Sequence, residues 1–192
     1  MPANPQMLHH LETRRSVGLA FLKEPGPSAD ELTRILAIGT RVPDHGKLTP
    51  WRLIVISGEA RAKAGAKLAE IAARQHPEYD EASLDVERNR FLPAPVTIAV
   101  VSTAKHHMKI PEWEQFLSAG NVAFNLEHAA FASGYAANWV SRWYALDGEA
   151  AEMLGARYGE QIIGFVSIGT PTAPIEDRPR PPLADVVTYW EG

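Results

Sequence analysis

The run Val96-Thr97-Ile98-Ala99-Val100-Val101 stands between Pro95 and Ser102. It is a continuous stretch rich in β-branched residues, which predicts a strand buried on both faces. Such a strand lies inside a sheet, and other elements must cover both faces of that sheet. The segments before and after residues 96–101 are therefore expected to supply helices that cover it.

Helical and strand-like patterns flank this run. Upstream, they predict helices at 6–13, from the capping box 28–31 to about residue 39, at 59–74 and at 81–89, with a strand at 51–56. Downstream, they predict a long helix at 113–133, strands at 137–140 and 162–168, and a helix at 149–154. This order predicts an α+β protein with helices around one sheet.

The predicted helix at 113–133 is apolar over most of its circumference. A helix of this kind is buried on more than one side, and one protomer of this size does not easily supply that burial. We therefore expect an obligate homodimer. The large apolar residues of the helix are Phe116, Leu117, Val122, Phe124, Leu126 and Phe131.

Residues 170–192 form a tail whose composition differs from that of the preceding chain. Because prolines favour an extended backbone, the tail is expected to reach a neighbouring subunit and add an edge strand there. No repeat or internal linker is visible, so residues 1–192 are interpreted as a single domain. The prolines of the tail are Pro171, Pro174, Pro179, Pro181 and Pro182.

The overall composition excludes several classes of protein. The 192 residues include no cysteine, which rules out disulfide frameworks, thiol catalysis, iron–sulfur clusters and Cys-ligated zinc. Lys+Arg 19 against Asp+Glu 23 gives a net charge of -4 without a basic stripe, so nucleic acid is not an expected partner. No signal peptide or membrane span is visible, which predicts a cytoplasmic protein.

Several common catalytic motifs are absent. The chain has no GxGxxG after a strand, no GxxxxGK[ST], no HExxH and no GxSxG. These absences argue against a dinucleotide fold, a P-loop, a zinc protease and a serine hydrolase. The histidine pairs 9–10 and 106–107 fit no zinc spacing, so no metal site is predicted. Any chemistry must then use other groups or a borrowed cofactor.

Two arginine clusters remain as candidates for a binding site. Arg14-Arg15-Ser16 follows a predicted helix and offers two guanidinium groups and a hydroxyl, donors that suit a phosphate monoester. Arg178-Pro179-Arg180 is a second pair, on a segment whose prolines restrict the backbone. The first cluster is also typical of side chains that complement a helix C-terminus, and the second of a solvated linker. The two become informative only if the fold brings them together.

Five segments, in a fixed order, carry a further signal. They are Arg14-Arg15-Ser16, the loop 41–45 (Arg-Val-Pro-Asp-His) leading to Pro50-Trp51-Arg52, 118–121 (Ser-Ala-Gly-Asn), 134–139 (Gly-Tyr-Ala-Ala-Asn-Trp) and 164–171 (Gly-Phe-Val-Ser-Ile-Gly-Thr-Pro). Their order and spacing resemble the nitroreductase family, in particular its short single-domain branch. The resemblance extends over nearly the whole chain.

This resemblance implies a central, mostly antiparallel sheet flanked by helices, with the C-terminal tail exchanged between the subunits of a homodimer. It also implies one FMN per site, bound between the two subunits. Electrons would pass from NADH or NADPH through FMN to nitro compounds, quinones or similar small-molecule acceptors by a ping-pong mechanism. Because the cofactor carries the chemistry, no catalytic side chain is assigned.

Both arginine clusters match the phosphate end of FMN. By resemblance, Arg14, Arg15 and Ser16 would hold the phosphate and the ribityl chain. Arg178 and Arg180 resemble the basic residues that many members place on the phosphate after the last strand. FMN is therefore expected in preference to FAD, whose phosphates are bridged.

One loop and one strand match the ring end of FMN. By resemblance, Arg41 and His45 would reach the flavin from the other subunit. Trp139, Val140 and Ser141 would belong to the strand that passes its ring. The ring itself needs an apolar slot with few polar groups.

The sequence departs from the family pattern at two places. Many members have a lysine near N1 and the C2 carbonyl of the flavin, where this chain has Gly18, and Arg41 is the candidate to replace its charge. Members of the longer branch have Asn-Ser-Gln-Pro-Trp where residues 47–51 are Lys-Leu-Thr-Pro-Trp. Residues 129–134 fall where the branch contacts the nicotinamide cofactor, although they also fit a helix core.

Two other functions stay open. One is a flavin enzyme of the same fold with different chemistry, such as dehalogenation or flavin fragmentation. The other is a non-catalytic flavin-binding protein. In an enzyme, the acceptor would be selected by whatever roofs the site, for which residues 77–95 and Trp113 are candidates.

Overall fold

In the computed structural model of this protein, residues 2–174 and 176–192 are described, and Met1 and Ile175 lie outside them. The helices are α1 (Pro5–Thr13), α2 (Ala29–Gly39), α3 (Glu59–Gln75), α4 (Glu81–Arg88), α5 (Glu112–Ala132), α6 (Trp143–Leu146), α7 (Gly148–Met153) and α8 (Leu183–Val186). The strands are β1 (Leu22–Lys23), β2 (Trp51–Ser57), β3 (Val96–Ser102), β4 (Ala136–Val140) and β5 (Gln161–Pro171).

The strand β3 lies inside a five-stranded antiparallel sheet. It pairs with β2, where Trp51 lies opposite Ser102, and with β5, where Val96 lies opposite Ile168. Strands β4 and β1 also pair with β5, and both pairs are antiparallel. Every residue of β3 is buried. The buried strand predicted from residues 96–101 and the expected antiparallel sheet are both confirmed.

Helices cover both faces of this sheet, and the side chains of β3 alternate between them. On one face, Ile98 packs in a cluster with Ile35 of α2 and Leu126 of α5. On the other, Val101 packs in a cluster with Leu68 of α3 and with residues of α6 and α7. Helix α4 packs against α3. The α+β architecture predicted from the element order is therefore confirmed.

The structure adds short elements that the sequence patterns did not predict, namely β1, α6 and α8. It also extends the last strand beyond residue 168, where the predicted strand ends. Thr170 and Pro171 continue β5 because they pair with Lys23 and Leu22 of β1. A two-residue strand of this kind is set by a distant partner and leaves no periodic pattern in the sequence.

One side of α5 is buried within this chain and the other is open. Val122 and Leu126 are fully buried, whereas Trp113, Leu117 and Phe124 are 63%, 57% and 46% exposed. Helix α1 buries no residue and exposes apolar side chains as well. The burial of α5 on more than one side is therefore not reached within a single chain. An apolar surface of this kind is typical of a protein contact surface.

The tail after β5 is exposed throughout residues 176–192, and it contains the single-turn helix α8. The predicted extended tail of 170–192 thus begins as the end of β5, and Ile175 lies outside the described residues. Exchange of this tail with a second subunit stays a prediction. Among the helices described, none combines the length and hydropathy needed to cross a membrane.

Candidate functional site

The segment that follows α1 is fastened to β4. The backbone N–H of Val17 donates to the carbonyl of Ala137 (3.0 Å), and Asn138 Nδ2 donates to the carbonyl of Val17 (2.8 Å). Residues 14–16 immediately precede this contact. Their backbone is therefore held between the end of α1 and the edge of the sheet.

Arg14 lies among two aromatic rings and a carboxylate. Its guanidinium carbon is 5.8 Å from the centre of the Phe124 ring and 5.7 Å from that of the Phe131 ring. Its Nη1 is 3.7 Å from the carboxylate of Glu127, which also accepts a hydrogen bond from Ser16 Oγ (3.2 Å). Burial raises the pKa of Glu127, although the charge of Arg14 and the hydroxyl of Ser16 oppose that shift.

Arg14 Nη1 is buried and has no hydrogen-bond partner among the residues that the structure describes. Leaving a buried donor without an acceptor costs about 1–3 kcal/mol. An anionic oxygen bound here would supply the missing acceptor. Because Arg15 and Ser16 add a second guanidinium group and a hydroxyl, this donor set fits a phosphate group.

The fold brings the two arginine clusters together at Asp177. Arg15 Nε donates to the carbonyl of Glu176 (3.2 Å) and lies 3.5 Å from the Asp177 carboxylate. Arg180 Nη2 is 3.4 Å from the same carboxylate, and the backbone N–H of Arg178 donates to it (2.8 Å). The clusters at opposite ends of the sequence therefore share one acidic residue.

A cleft of about 350 Å³ separates residues 16–18 from the start of the tail. Ser16, Gly18 and Phe21 line one side, and Pro174 and Glu176 line the other. A Cβ at Gly18 would stand 3.4 Å from the Phe21 ring, an ordinary van der Waals distance. The cleft thus lies between the two ends of the chain that carry the arginines.

The end of β4 presents an aromatic surface. The Trp139 side chain is exposed and lies over Gly164 of β5, where an added Cβ would stand only 2.4 Å from Trp139 Nε1. Val140 follows as the last residue of the strand, and Ser141 is exposed beyond it. Gly164 is therefore required for the position of the Trp139 ring.

Arg41 and His45 lie on a loop that is fastened to α5. Asn125 Nδ2 donates to the carbonyls of Ile38 (2.7 Å) and Arg41 (3.3 Å), and His45 Nδ1 is 2.8 Å from the carboxylate of Glu114. In the described part of the chain, neither residue shares a hydrogen bond or ion pair with residues 14–16. Their expected approach to the flavin of another subunit stays a prediction.

A sequence model of the nitroreductase family matches residues 11–170. The chain belongs to the nitroreductase family. The matched span runs from α1 through nearly all of β5 and includes the first arginine cluster, the loop 41–45 and the end of β4. The protein is accordingly an oxidoreductase of the nitroreductase type.

Individual relatives agree with this assignment. YdjA of Escherichia coli (strain K12), named as a candidate NAD(P)H nitroreductase, is 37% identical over 166 residues, which cover 85% of this chain and 87% of the relative. A nitroreductase-like family protein from Bacillus cereus has the same fold, with a TM-score of 0.81 at 22% identity over 100% of both chains. A nitroreductase from Bacteroides fragilis with bound FMN gives a TM-score of 0.72 at 19% identity, covering 98% of this chain and 100% of that one.

In this nitroreductase, three site neighbours were not found from the sequence: Glu127, Phe124 and Asp177. Glu127 interrupts the most apolar helix of the chain, and an isolated charge in such a helix was the available signal. Asp177 carried no signal, because an acidic residue in a polar tail is ordinary. Glu127 and Asp177 belong to the site because they contact the first arginine cluster, which lies more than 100 residues away in sequence.

The segment 129–134 combines core and surface positions. Ala129 and Ala130 are buried in the core, so their side chains cannot contact a ligand, whereas Ala132 and Gly134 are exposed. Trp113, a candidate for the roof of the site, lines a separate cavity of about 460 Å³ together with Phe116. Any nicotinamide contact by side chains of this segment is thus expected at residues 131–134.

Proposed function

We propose that this chain is an FMN-dependent homodimer that passes electrons from NADH or NADPH to nitro compounds, quinones or similar acceptors by a ping-pong mechanism. The observation that carries the proposal is the buried Nη1 of Arg14, which has no acceptor among the described residues and stands beside further donors. Membership of the family and the FMN named in a relative of the same fold support the same cofactor.

Residues at both ends of the chain are proposed to hold the phosphate. Arg14 would donate to it directly, and Ser16 would do so once its one hydroxyl proton turns from Glu127 to the phosphate, while Arg15 would link it to the tail through Asp177. Arg180 lies beside the same carboxylate and Arg178 is its sequence neighbour, so both are placed to contribute from the tail. Two or more charge-assisted bonds favour a terminal phosphate over a bridged one.

The ring is proposed to lie along the end of β4, at Trp139, Val140 and Ser141. The exposed indole of Trp139 supplies an apolar wall, and Gly164 beneath it keeps that wall flat. Arg41 and His45 would approach from the second subunit, on a loop whose backbone is fixed by Asn125. This arrangement binds and orients the ring and excludes water from one of its faces.

When bound, FMN supplies the two-electron chemistry, so the side chains need only position the donor and the acceptor. A donor and an acceptor that use the same open face of the ring must occupy it in turn. Ping-pong kinetics follow from that shared face. The proposal therefore assigns no catalytic side chain to this chain.

Exposed apolar surface supports the homodimer and the exchange of the tail. The open side of α5 and the exposed residues of α1 would be covered by the second subunit. The apolar end of the tail, from Val186 to Trp190, is exposed here and would be buried on that subunit. We further propose that residues 1–192 act as one domain, since the tail and the N-terminal segment meet at Asp177.

The decisive experiment is an absorbance spectrum of the purified protein, with and without added FMN, followed by anaerobic addition of NADH or NADPH. We expect flavin bands that bleach on addition of the donor and return when a quinone is added. FAD in place of FMN is the control and should bind more weakly. Protein that neither contains nor binds FMN at micromolar concentration would contradict the proposal.

A further inference from the structure

A third cavity, of about 430 Å³, opens between α4 and the residues that follow β4. Its apolar lining includes Leu19, Val86 and Tyr144, and its charged lining includes Asp85, Arg90 and Arg142. A volume of this size suits a small organic molecule. Nothing in the proposed binding of FMN uses these side chains.

The charges in this cavity are compensated, with one exception. Arg90 binds the buried carboxylate of Glu87 through Nε (2.9 Å) and Nη2 (2.5 Å), and Asp85 is paired with Arg88. Arg142 forms no ion pair or hydrogen bond through its guanidinium group within residues 2–174 and 176–192. It is exposed, and its charge acts at longer range on the Glu87 carboxylate, but it has no direct partner in the cavity wall.

The remaining lining adds no opposing charge. Burial raises the pKa of Tyr144 to about 12, so its phenol keeps its proton at neutral pH. The carboxylate of Glu87 is already occupied by Arg90 and by Trp143 Nε1 (2.9 Å). A ligand in this cavity would therefore meet an apolar wall and one guanidinium group whose N–H donors have no direct partner among the described residues.

Two residues that line the cavity are sequence neighbours of positions discussed for the flavin ring. Leu19 follows Gly18 in the segment that runs beside β4, and Arg142 follows Ser141 directly. Side chains from both segments line the same cavity. Because guanidinium groups pair with carboxylates through two parallel bonds, Arg142 is placed to anchor a carboxylate beside the ring.

We propose that this cavity selects electron acceptors that carry a carboxylate on an apolar, aromatic body, with Arg142 binding the carboxylate. This inference rests on the proposed function, since it places the acceptor next to FMN. Leu19 and Val86 contact the apolar body of the acceptor. Arg142 is a specificity-determining residue and takes no part in electron transfer.

The test uses the FMN-loaded dimer with 4-nitrobenzoate and its methyl ester, which differ in the charge that Arg142 would bind. In the assay, NADH, one proton and the nitro compound give NAD⁺, the nitroso compound and water. We expect Arg142→Gln to lower kcat/KM for 4-nitrobenzoate about tenfold or more and to leave the ester within about twofold. Arg142→Lys should retain part of the preference for the acid.

Arg34→Gln is the matched control, because Arg34 is an exposed arginine of α2 that lines none of these cavities. This variant removes the same charge and should leave kcat/KM unchanged for both the acid and the ester. The flavin content and the melting temperature of each variant show whether it is folded. Val86→Phe, which fills the apolar part of the cavity, should reduce activity with the acid and the ester alike.

Three outcomes would overturn the inference: equal loss of acid and ester in Arg142→Gln, no loss of either, or a fall in kcat/KM for NADPH relative to NADH with an unchanged acceptor profile. The last would assign Arg142 to the 2′-phosphate of the donor. Calorimetric titration of 4-nitrobenzoate into wild type and Arg142→Gln tests the cavity without turnover. If quinones and the ester also give no turnover in wild type, the proposed function fails, and the titration still decides the binding site.

Discussion

Arg14 Nη1 and the Glu127 carboxylate lie 3.7 Å apart, too far for a hydrogen bond but close enough for strong attraction. The glutamate is buried, and it holds the Ser16 hydroxyl on the same side. Arg14 is thus oriented by a charge that does not satisfy its donor. A phosphate placed at that donor would feel attraction from Arg14 and repulsion from Glu127.

The first prediction follows from that repulsion and concerns pH. Burial raises the pKa of Glu127 above 4.5, so its proton is lost only as the pH rises through that higher value. A bound phosphate disfavours the charged carboxylate further, so binding of FMN is expected to draw a proton to Glu127. The affinity of wild type for FMN should therefore fall, relative to Glu127→Gln, as the pH rises from about 4.5 towards 7.

Calorimetric or fluorescence titration of apoprotein with FMN at several pH values measures this ratio. The second ionisation of free FMN is common to both proteins, so the pH dependence of the ratio reports Glu127 and its coupling to the bound phosphate. The same pKa direction means that Glu127 stabilises the apoprotein fully only at low pH, and that this contribution is lost as the pH rises through the folded-state pKa. If the ratio of affinities does not depend on pH, Glu127 does not lie at the phosphate site.

The second prediction concerns the arginines themselves. Arg14→Ala combined with Arg180→Ala should weaken FMN by about a hundredfold or more, since each hydrogen bond to a charged group contributes about 1.5–3 kcal/mol. Each single variant gives the separate contribution, and Arg34→Ala is an exposed control on α2. If the double variant binds FMN with unchanged affinity, neither arginine contacts the cofactor.

The third prediction concerns the packing of Trp139 on Gly164. Gly164→Ala should displace the indole, because an added Cβ would stand 2.4 Å from its Nε1. Overpacking of this kind costs about 1–3 kcal/mol, and the flavin absorbance should shift as the wall moves. Gly148→Ala is the control, since no atom lies within 4 Å of its added Cβ. Equal melting temperatures and spectra in both variants would contradict the assignment of Trp139.

The main elements of the fold could be predicted from the sequence because each carries its own pattern. Five of the six residues 96–101 are β-branched and the sixth is Ala99, and Ser28 with Glu31 forms the capping box that begins α2. Strand β1 exists only because Leu22 and Lys23 meet Pro171 and Thr170. No local pattern encodes such a contact between the two ends of the chain.

The candidate site also contains residues that the sequence identifies and residues that only the tertiary structure places there. Arg14, Arg15 and Ser16 were visible as a cluster of donors, but the contact of Arg14 with Glu127 depends on how α5 passes the end of α1. The role of Asp177 likewise depends on the tail returning to Arg15. Residues that bind through charge and type can be identified from sequence, whereas their neighbours are determined by the tertiary structure.

The fourth prediction concerns the dimer and the tail. The protein should sediment as a dimer at micromolar concentration, because a second subunit would cover the exposed apolar residues of α1 and α5. Deleting residues 183–192 removes Val186, Tyr189 and Trp190 from the proposed contact and should lower both Tm and FMN retention. For a chain of this size, each kcal/mol lost lowers Tm by about 2–4 °C. A monomeric native protein would contradict the proposed shared site.

The fifth prediction concerns the charge near the flavin that Gly18 does not supply. A cation near N1 and the C2 carbonyl favours the negatively charged reduced ring, and Arg41 is the candidate for it. If its contribution is about 1–2 kcal/mol, Arg41→Gln should lower the two-electron midpoint potential by roughly 20–45 mV, at about 30 mV per 1.4 kcal/mol.

The structure separates this role from a structural one. Asn125 fixes the loop through the backbone carbonyls of Ile38 and Arg41, so the loop stays anchored when the Arg41 side chain is shortened. A residue that served only to cap the end of α2 would lower the stability slightly and leave the potential unchanged. Spectroelectrochemical titration of wild type and Arg41→Gln, each saturated with FMN, distinguishes the two, because equal midpoints would show that the charge of Arg41 does not act on the ring.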